Sequence, residues 1–162
     1  MPGPLIRPLI KQIKNPSFVS IKDLGGEFET SILATAMRLI DLGTVPAILT
    51  CYNAQRLRWF KFSRDFPRRW YLHDKLDDET FAYELLVNGK EQAGPRKSSG
   101  ESWFRNTDSD QYEVLEHSVL GRDGEVLTLL LPENSMLDAR YDPDVFPKRY
   151  GADGISFKRR PR

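Results

Sequence analysis

The sequence predicts an α+β protein, in which a small helical region precedes a β-rich domain. In the first part of the chain the apolar residues recur every three or four positions, which is the period of a helix. Beyond it, short apolar runs alternate with turn residues, and Asp123-Gly124 between two such runs is a strong hairpin signal. We expect a helical region at 1–45, a sheet domain at 46–135 and a basic, largely irregular tail at 136–162.

Three helices are expected in the helical region, at about 4–14, 20–28 and 32–42. The third is well marked, because Thr30 or Ser31 can cap its start and Gly43 can end it. The second and third helices, joined by a short turn, have the outline of a helix-turn-helix. The predicted apolar face of the third helix consists of Ile32, Leu33, Ala36, Met37 and Ile40.

Two hairpins are expected in the sheet domain. In the first, residues 46–52 and 56–62 are joined by a turn at 53–55. In the second, residues 112–120 and 125–131 are joined through the Asp-Gly turn. The last of these strands is apolar on both faces, so we expect it to lie in the middle of the sheet.

The stretch between the hairpins is expected to hold one helix and one loop. Asp77, Asp78 and Glu79 suit the positive end of a helix dipole, which favours a helix from 77 to about 87. Residues 88–102 are rich in Gly, Pro, Lys and Ser, which is typical of a mobile loop. Such a loop is placed to act as a lid over a pocket in the sheet domain.

Length and composition exclude several classes of protein. With 162 residues, 40% of them hydrophobic, the chain can bury a core of its own. Cys51 is the single cysteine, so no disulfide can form within the chain and a reducing compartment is favoured. No apolar run approaches the ~20 residues needed to cross a bilayer. We therefore expect a cytoplasmic protein with no membrane partner.

No set of residues in the sequence indicates catalysis. His73, His117 and Cys51 lie at no spacing typical of metal ligands, and the His-Glu-x-x-His motif is absent. No serine sits in a Gly-x-Ser-x-Gly turn, and no glycine loop of the phosphate-binding type is present. We therefore assign no catalytic residue, no metal ligand and no cofactor, and we expect that the chain alone is not an enzyme.

The formal net charge is only +1, but the basic residues are clustered. Seven of them lie between Arg56 and Lys75 against two acids, and six follow from Lys148 onward against one. Such clusters suit an anionic partner, although a solvated face and a disordered tail would give the same pattern. If DNA is bound through the third helix and a basic wing formed by the first hairpin, the expected contacts are Arg38, Arg56, Arg58 and Lys61.

Aromatic residues are interleaved with cations at 59–62 and 70–71. This pattern suits stacking on nucleic-acid bases, and it equally suits the core of a curled sheet. Both interpretations stay open at the level of the sequence.

Two groups of segments follow one another in a recognisable order. The first comprises Met1-Pro2 with Leu5-Ile6, then residues 23–31, then Ala34-Thr35-Ala36-Met37-Arg38-Leu39. The second comprises Arg56-Leu57-Arg58-Trp59-Phe60, Phe66-Pro67, Trp103-Phe104, and residues 115–118 and 126–130. Together, over about residues 1–133, they resemble the second half of the ImmA/IrrE family, in which a helical region and a GAF-like sheet domain follow a zinc endopeptidase domain.

The resemblance implies a GAF-like antiparallel or mixed sheet with a flanking helix, and a sensory or regulatory role in a stress response or in repressor control. The family's zinc-binding helix has no counterpart here, so no catalytic residue carries over. A GAF-like domain also implies a small-molecule or peptide pocket, for which Trp59, Trp70 and Trp103 are the candidate residues.

The partners implied are the peptidase half of the family or another protein, and a small-molecule ligand. Apolar residues begin directly after Met1, at Leu5 and Ile6, so we expect a peptidase-coding segment upstream or in an adjacent gene. The alternative is a stand-alone DNA-binding regulator of winged-helix type, whose binding would weaken steeply with salt.

Overall fold

The computed structural model describes residues 31–43, 45–89 and 92–139, together with Lys22. The first two expected helices lie outside the described residues, apart from Lys22, and so does the tail from 140 onward. The helices are α1 (Ile32–Leu42), α2 (Phe81–Asn88) and α3 (Asn134–Asp138), and the strands are β1 (Ile48–Tyr52), β2 (Leu57–Phe62), β3 (Gln92–Ser99), β4 (Glu113–Leu120) and β5 (Val126–Pro132).

The five strands form one antiparallel sheet in the order β2-β1-β5-β4-β3. Together with the helices this is an α+β fold, as the sequence predicts; the GAF-like detail stays a prediction. β5 lies at the centre of the sheet, which confirms its predicted position, and its residues 126–130 are all buried. β2 and β3 are the two edge strands.

Both predicted hairpins are confirmed. β4 and β5 are joined by a turn in which Asp123 (φ 55°) and Gly124 (φ 73°) both lie in the left-handed region that a type I′ turn requires. In the β1–β2 loop, the Asn53 side-chain oxygen accepts hydrogen bonds from the backbone N–H groups of Gln55 and Arg56. A bulge at Cys51/Tyr52 adds one residue to β2.

One face of the sheet, here called the α1 face, is covered by α1. Ser31 caps this helix by accepting a hydrogen bond from Ala34 N (3.1 Å), and Gly43 ends it with φ 60°. The predicted apolar face of the helix needs one correction: Leu33 is 40% exposed, whereas Leu39 is buried. The buried apolar residues of the α1 face are Ala36, Leu39, Ile40, Ala47, Leu49, Cys51, Leu127 and Leu129.

The opposite face, here called the aromatic face, carries the larger core. It is covered by α2, α3 and the irregular segments around 66–72 and 103–104. Tyr52, Trp70, Trp103 and Phe104 are each at most 1% exposed and are among the largest buried side chains. The remaining buried apolar residues are Ile48, Phe66, Leu72, Ala82, Leu85, Val114, Val126, Leu130 and Met136.

One sequence prediction about irregular structure is wrong. Residues 88–102 do not form a loop that could act as a lid, because β3 occupies Gln92–Ser99 and pairs with β4. The register shifts between Ala93 and Arg96, so Pro95 lies at an irregularity of an edge strand, where a missing N–H is tolerated. At the start of the predicted irregular tail, α3 buries Met136 completely; the tail from 140 onward lies outside the described residues.

No helix among the described residues has the length and apolar character that a membrane span requires.

Candidate functional site

A groove of about 400 Å³ opens on the aromatic face, between the edge strand β2 and the segment 68–74. Six of its lining residues are aromatic or aliphatic, and three are charged. The first set is Leu57, Phe60, Phe62, Trp70, Tyr71 and Leu72, and the second is Arg68, Asp74 and Arg105.

The floor of the groove follows from the alternation of side chains along β2. Phe60 and Phe62 lie opposite Thr50 and Ile48 and therefore point to the aromatic face. Their rings meet edge to face, with centroids 5.4 Å apart. Phe60 is 50% exposed, so the groove presents aromatic surface to solvent.

The opposite wall is held by backbone hydrogen bonds. Leu57 N donates to Asp74 O (2.6 Å), and Arg105 N donates to Tyr71 O (2.8 Å). Tyr71 N in turn donates to the side-chain oxygen of Asn106 (2.9 Å). The wall is therefore tied to both β2 and the segment after Trp103, which fixes the width of the groove.

Two arginines supply positive charge to the groove. The Arg68 guanidinium is exposed and lies 4.9 Å from the centroid of the Phe62 ring. Arg105 is half-buried, and its Nε is buried with no hydrogen-bond partner in the part of the chain that the structure describes. Neither forms an ion pair with any residue in the described ranges. Arg69 differs, because it is buried and paired with Asp108 while stacking on Trp70 (4.0 Å).

The three tryptophans predicted to line a pocket are not brought together. Trp70 lines the groove. Trp103 is buried deeper on the same face, where its indole N–H donates to the Ser98 hydroxyl (3.1 Å). Trp59 pairs with Cys51 and packs, partly buried, on the α1 face. The alternation of side chains along a strand can be read from the sequence, and it places Trp59 on the opposite face of β2 from Phe60 and Phe62.

The four cations predicted to contact DNA lie in different settings. Lys61 pairs with Asp41 of α1 (2.5 Å), and Arg58 pairs with Glu125 (3.7 Å). Arg56 is exposed in the β1–β2 loop. Arg38 lies on α1, half-buried, and its Nε is buried without a hydrogen-bond partner in the described ranges. Two of the four positive charges are therefore already balanced by carboxylates.

A buried carboxylate lies elsewhere on the aromatic face. Glu116 is fully buried in β4, and its Oε1 accepts a hydrogen bond from Phe81 N at the start of α2 (2.9 Å). Its Oε2 forms no hydrogen bond with any residue that the structure describes. Burial raises the pKa of Glu116 to about 7, although the bond from Phe81 and the charge of Arg96 oppose this effect. The Arg96 guanidinium lies 3.0 Å from the centroid of the Phe81 ring.

The cysteine and the two histidines, which are the candidate nucleophile and metal ligands of the sequence, do not lie together. Cys51 is fully buried, and burial together with the nearby Glu125 raises the pKa of its thiol to about 12. His117 is buried in β4, which lowers its pKa. His73 Nε2 lies 2.7 Å from Glu101 O. Within the described ranges, no three His, Cys, Asp or Glu side chains are grouped as a metal site would require.

Comparison of the sequence with models of protein families and with curated proteins gives no significant match. The resemblance to the ImmA/IrrE family therefore stays a prediction, and functional inference depends on the groove and on the charges around it.

Proposed function

We propose that the chain is a non-catalytic regulatory module of an ImmA/IrrE-like protein, and that the groove on the aromatic face binds an apolar or aromatic group carrying negative charge. The observation that carries this proposal is the combination of exposed Phe60 with Arg68 and Arg105, which have no ion-pair partner in the described ranges. Binding sites commonly combine an apolar lining with a few polar groups that fix orientation.

The groove would recognise both the apolar part and the anionic part of such a ligand. Covering the exposed half of Phe60 removes apolar surface from water, which stabilises a complex by roughly 25 cal/mol for each Å² buried. A guanidinium donates paired hydrogen bonds to a carboxylate, sulfonate or phosphate. The Nε of Arg105 has no hydrogen-bond partner among the described residues, so an anion placed beside it would satisfy a donor that those residues leave unpaired.

The residues that line the groove favour ligand binding over catalysis. Asp74 is the one carboxylate among the described residues that line the groove, and none of those residues is a histidine, cysteine or serine. A nucleophile paired with a base would be needed for acyl transfer, and a pair of carboxylates for glycoside hydrolysis. The bound group could belong to a small molecule, to the peptidase half of the family or to another protein of the cytoplasm.

Two dyes that differ by one charged group provide a test. Anilinonaphthalene sulfonate carries an aromatic system and an anion, and N-phenyl-1-naphthylamine is its neutral counterpart. The double variant Arg68→Gln/Arg105→Gln is expected to bind the sulfonate about tenfold more weakly, as the loss of about 1.4 kcal/mol of charge-assisted hydrogen bonding would give. Its affinity for the neutral dye should stay unchanged. Dye fluorescence and quenching of Trp70 measure both.

The control is Arg122→Gln, which removes an exposed arginine at the tip of the β4–β5 hairpin. It should leave both dyes unaffected, and near-ultraviolet circular dichroism should confirm that every variant keeps its tertiary packing. Equal affinities of the parent protein and the double variant for the sulfonate would contradict the proposed site.

The alternative function is duplex DNA binding through the β1–β2 hairpin. It is favoured by the exposure of Arg56 at the hairpin tip and by the 44% exposure of the neighbouring Arg58 side chain. In this alternative, Arg56→Glu/Arg58→Glu should abolish binding to a duplex, and the affinity of the parent protein should fall steeply with salt. Unchanged duplex affinity of the double variant would exclude the hairpin as the contact.

A further inference from the structure

The outer edge of β2 presents backbone hydrogen-bonding groups at the mouth of the groove. Ser63 N donates to Ala47 O (2.9 Å), so this opposed pair belongs to the hydrogen-bonded set of the β1–β2 ladder. Because such pairs alternate along antiparallel strands, Lys61 and Trp59 also bond inward to β1. The N–H and C=O groups of Phe60 and Phe62 must therefore point outward, away from the sheet.

These outward groups are unpaired as far as the described residues extend. Along the outer edge of β2, the described residues form one backbone hydrogen bond, from Leu57 N to Asp74 O at the start of the strand. No described residue bonds to the backbone of Phe60 or Phe62. An edge with free donors and acceptors can template the addition of another strand.

We propose that an extended, acidic segment of a partner protein adds to β2 as a sixth strand, pairing with the backbones of Phe60 and Phe62. This inference rests on the proposed function, because it identifies the carrier of the anionic apolar group as a peptide. Alternate side chains of an added strand face the same side of the sheet, so an apolar side chain would enter the groove and contact the exposed ring of Phe60.

The charge along this edge argues for an acidic partner and against a second copy of the chain. Arg64 and Arg68 are exposed just beyond β2 and form no ion pair with a described residue, whereas Arg58 within β2 is exposed but pairs with Glu125 (3.7 Å). Antiparallel pairing of two β2 edges through Phe60 and Phe62 would bring Arg64 of one copy towards Arg58 of the other, and like charges facing each other across strands are destabilising. Carboxylates on the incoming strand would instead be attracted by them, with an association rate that falls as salt is added.

The probe is the peptide acetyl-Glu-Val-Glu-Phe-Glu-Val-Glu-amide, added to the ¹⁵N-labelled full chain. Amide hydrogen exchange at Phe60 and Phe62 is expected to slow at least about tenfold at saturation, because these two N–H groups become hydrogen-bonded. The amide of Lys61, which already bonds to β1, should change much less. Unchanged exchange at Phe60 and Phe62 with the peptide bound would overturn strand addition.

A pair of variants separates the backbone contact from the side-chain contact. Phe60→Ala and Phe60→Pro both remove the ring, but only proline removes the outward N–H. The peptide should bind the proline variant at least about tenfold more weakly than the alanine variant, whereas the sulfonate dye should bind the two equally. Equal peptide affinities would mean docking by side chains alone and would overturn the inference.

The two proposals fail in different ways. If the protein bound the dye but not the peptide, the groove would be a small-molecule site and strand addition to β2 would be contradicted. If the affinity for the sulfonate dye did not depend on Arg68 and Arg105, the proposed function itself would be contradicted. If Phe60→Pro does not fold, the exchange measurement on the parent chain decides the question alone.

Discussion

Replacing Gly100 by alanine is expected to lower the free energy of unfolding by about 3 kcal/mol, the upper part of the range for overpacking. A Cβ at this position would lie within van der Waals overlap of two carbonyl oxygens, 2.4 Å from Ser109 O and 3.1 Å from Tyr112 O. Both oxygens belong to backbone that is itself fixed, since Gly100 N donates to Tyr112 O (2.8 Å). No flexible side chain is present to move aside. Urea unfolding measures the loss.

Gly121→Ala is the matched control for this substitution. The nearest atom to a Cβ at Gly121 is Glu125 O at 3.5 Å, which is an ordinary contact distance. This variant should unfold within about 1 kcal/mol of the parent protein, because it introduces no overlap. Similar unfolding free energies for the two variants would show that the turn at Gly100 is able to relax and that the predicted clash does not exist.

Glu116→Gln is expected to remove the loss of stability that this carboxyl causes as the pH rises from 4.5 to 7. In the folded protein burial raises the pKa of this carboxyl from its ordinary value of 4.5 to about 7, so the folded state holds the proton more tightly than the unfolded state. The contribution of this carboxyl to stability is therefore greatest below pH 4.5 and is lost as the pH rises to 7. The difference amounts to about 3 kcal/mol.

Glutamine keeps the acceptor for Phe81 N and carries no charge at any pH. The variant should therefore match the parent protein near pH 4.5 and be more stable than it at pH 8. Glu113→Gln is the control, since that side chain lies on the same strand but is 58% exposed beside Lys97. Urea unfolding across this pH range gives both curves. A difference in unfolding free energy between the parent protein and Glu116→Gln that stays constant from pH 4.5 to 8 would contradict the raised pKa.

Local signals in the sequence were sufficient for the elements that carry their own start and stop residues. Ser31 and Gly43 delimit α1, and Asp123-Gly124 fixes the turn between β4 and β5. Period-2 alternation also predicts that Phe60 and Phe62 share a face. These features depend on residues a few positions apart, so no knowledge of tertiary structure was needed.

Features that depend on distant contacts were not predictable. The residues of β3 have the composition of a loop. They form a strand because their backbone pairs with β4, and the side chains at 92–99 do not predict this pairing. The groove joins β2 to Trp70 and Arg105, which only the folded chain brings together. Glu116 lies in an ordinary alternating strand, so its burial depends on α2, whose Phe81 N donates to it, and on the pairing of β4 with β3.

The central position of β5 has a consequence for the synthesis of the protein. β1 and β4 meet only through β5, the last of the five strands to leave the ribosome. Thr50 and Thr128, which are hydrogen-bonded between β1 and β5, are 78 positions apart. Until β5 emerges, β1 keeps one edge unpaired, although every one of its residues is buried in the finished sheet. The nascent chain therefore carries an aggregation-prone strand, and shielding of β1 by a chaperone is expected to raise the yield of folded protein.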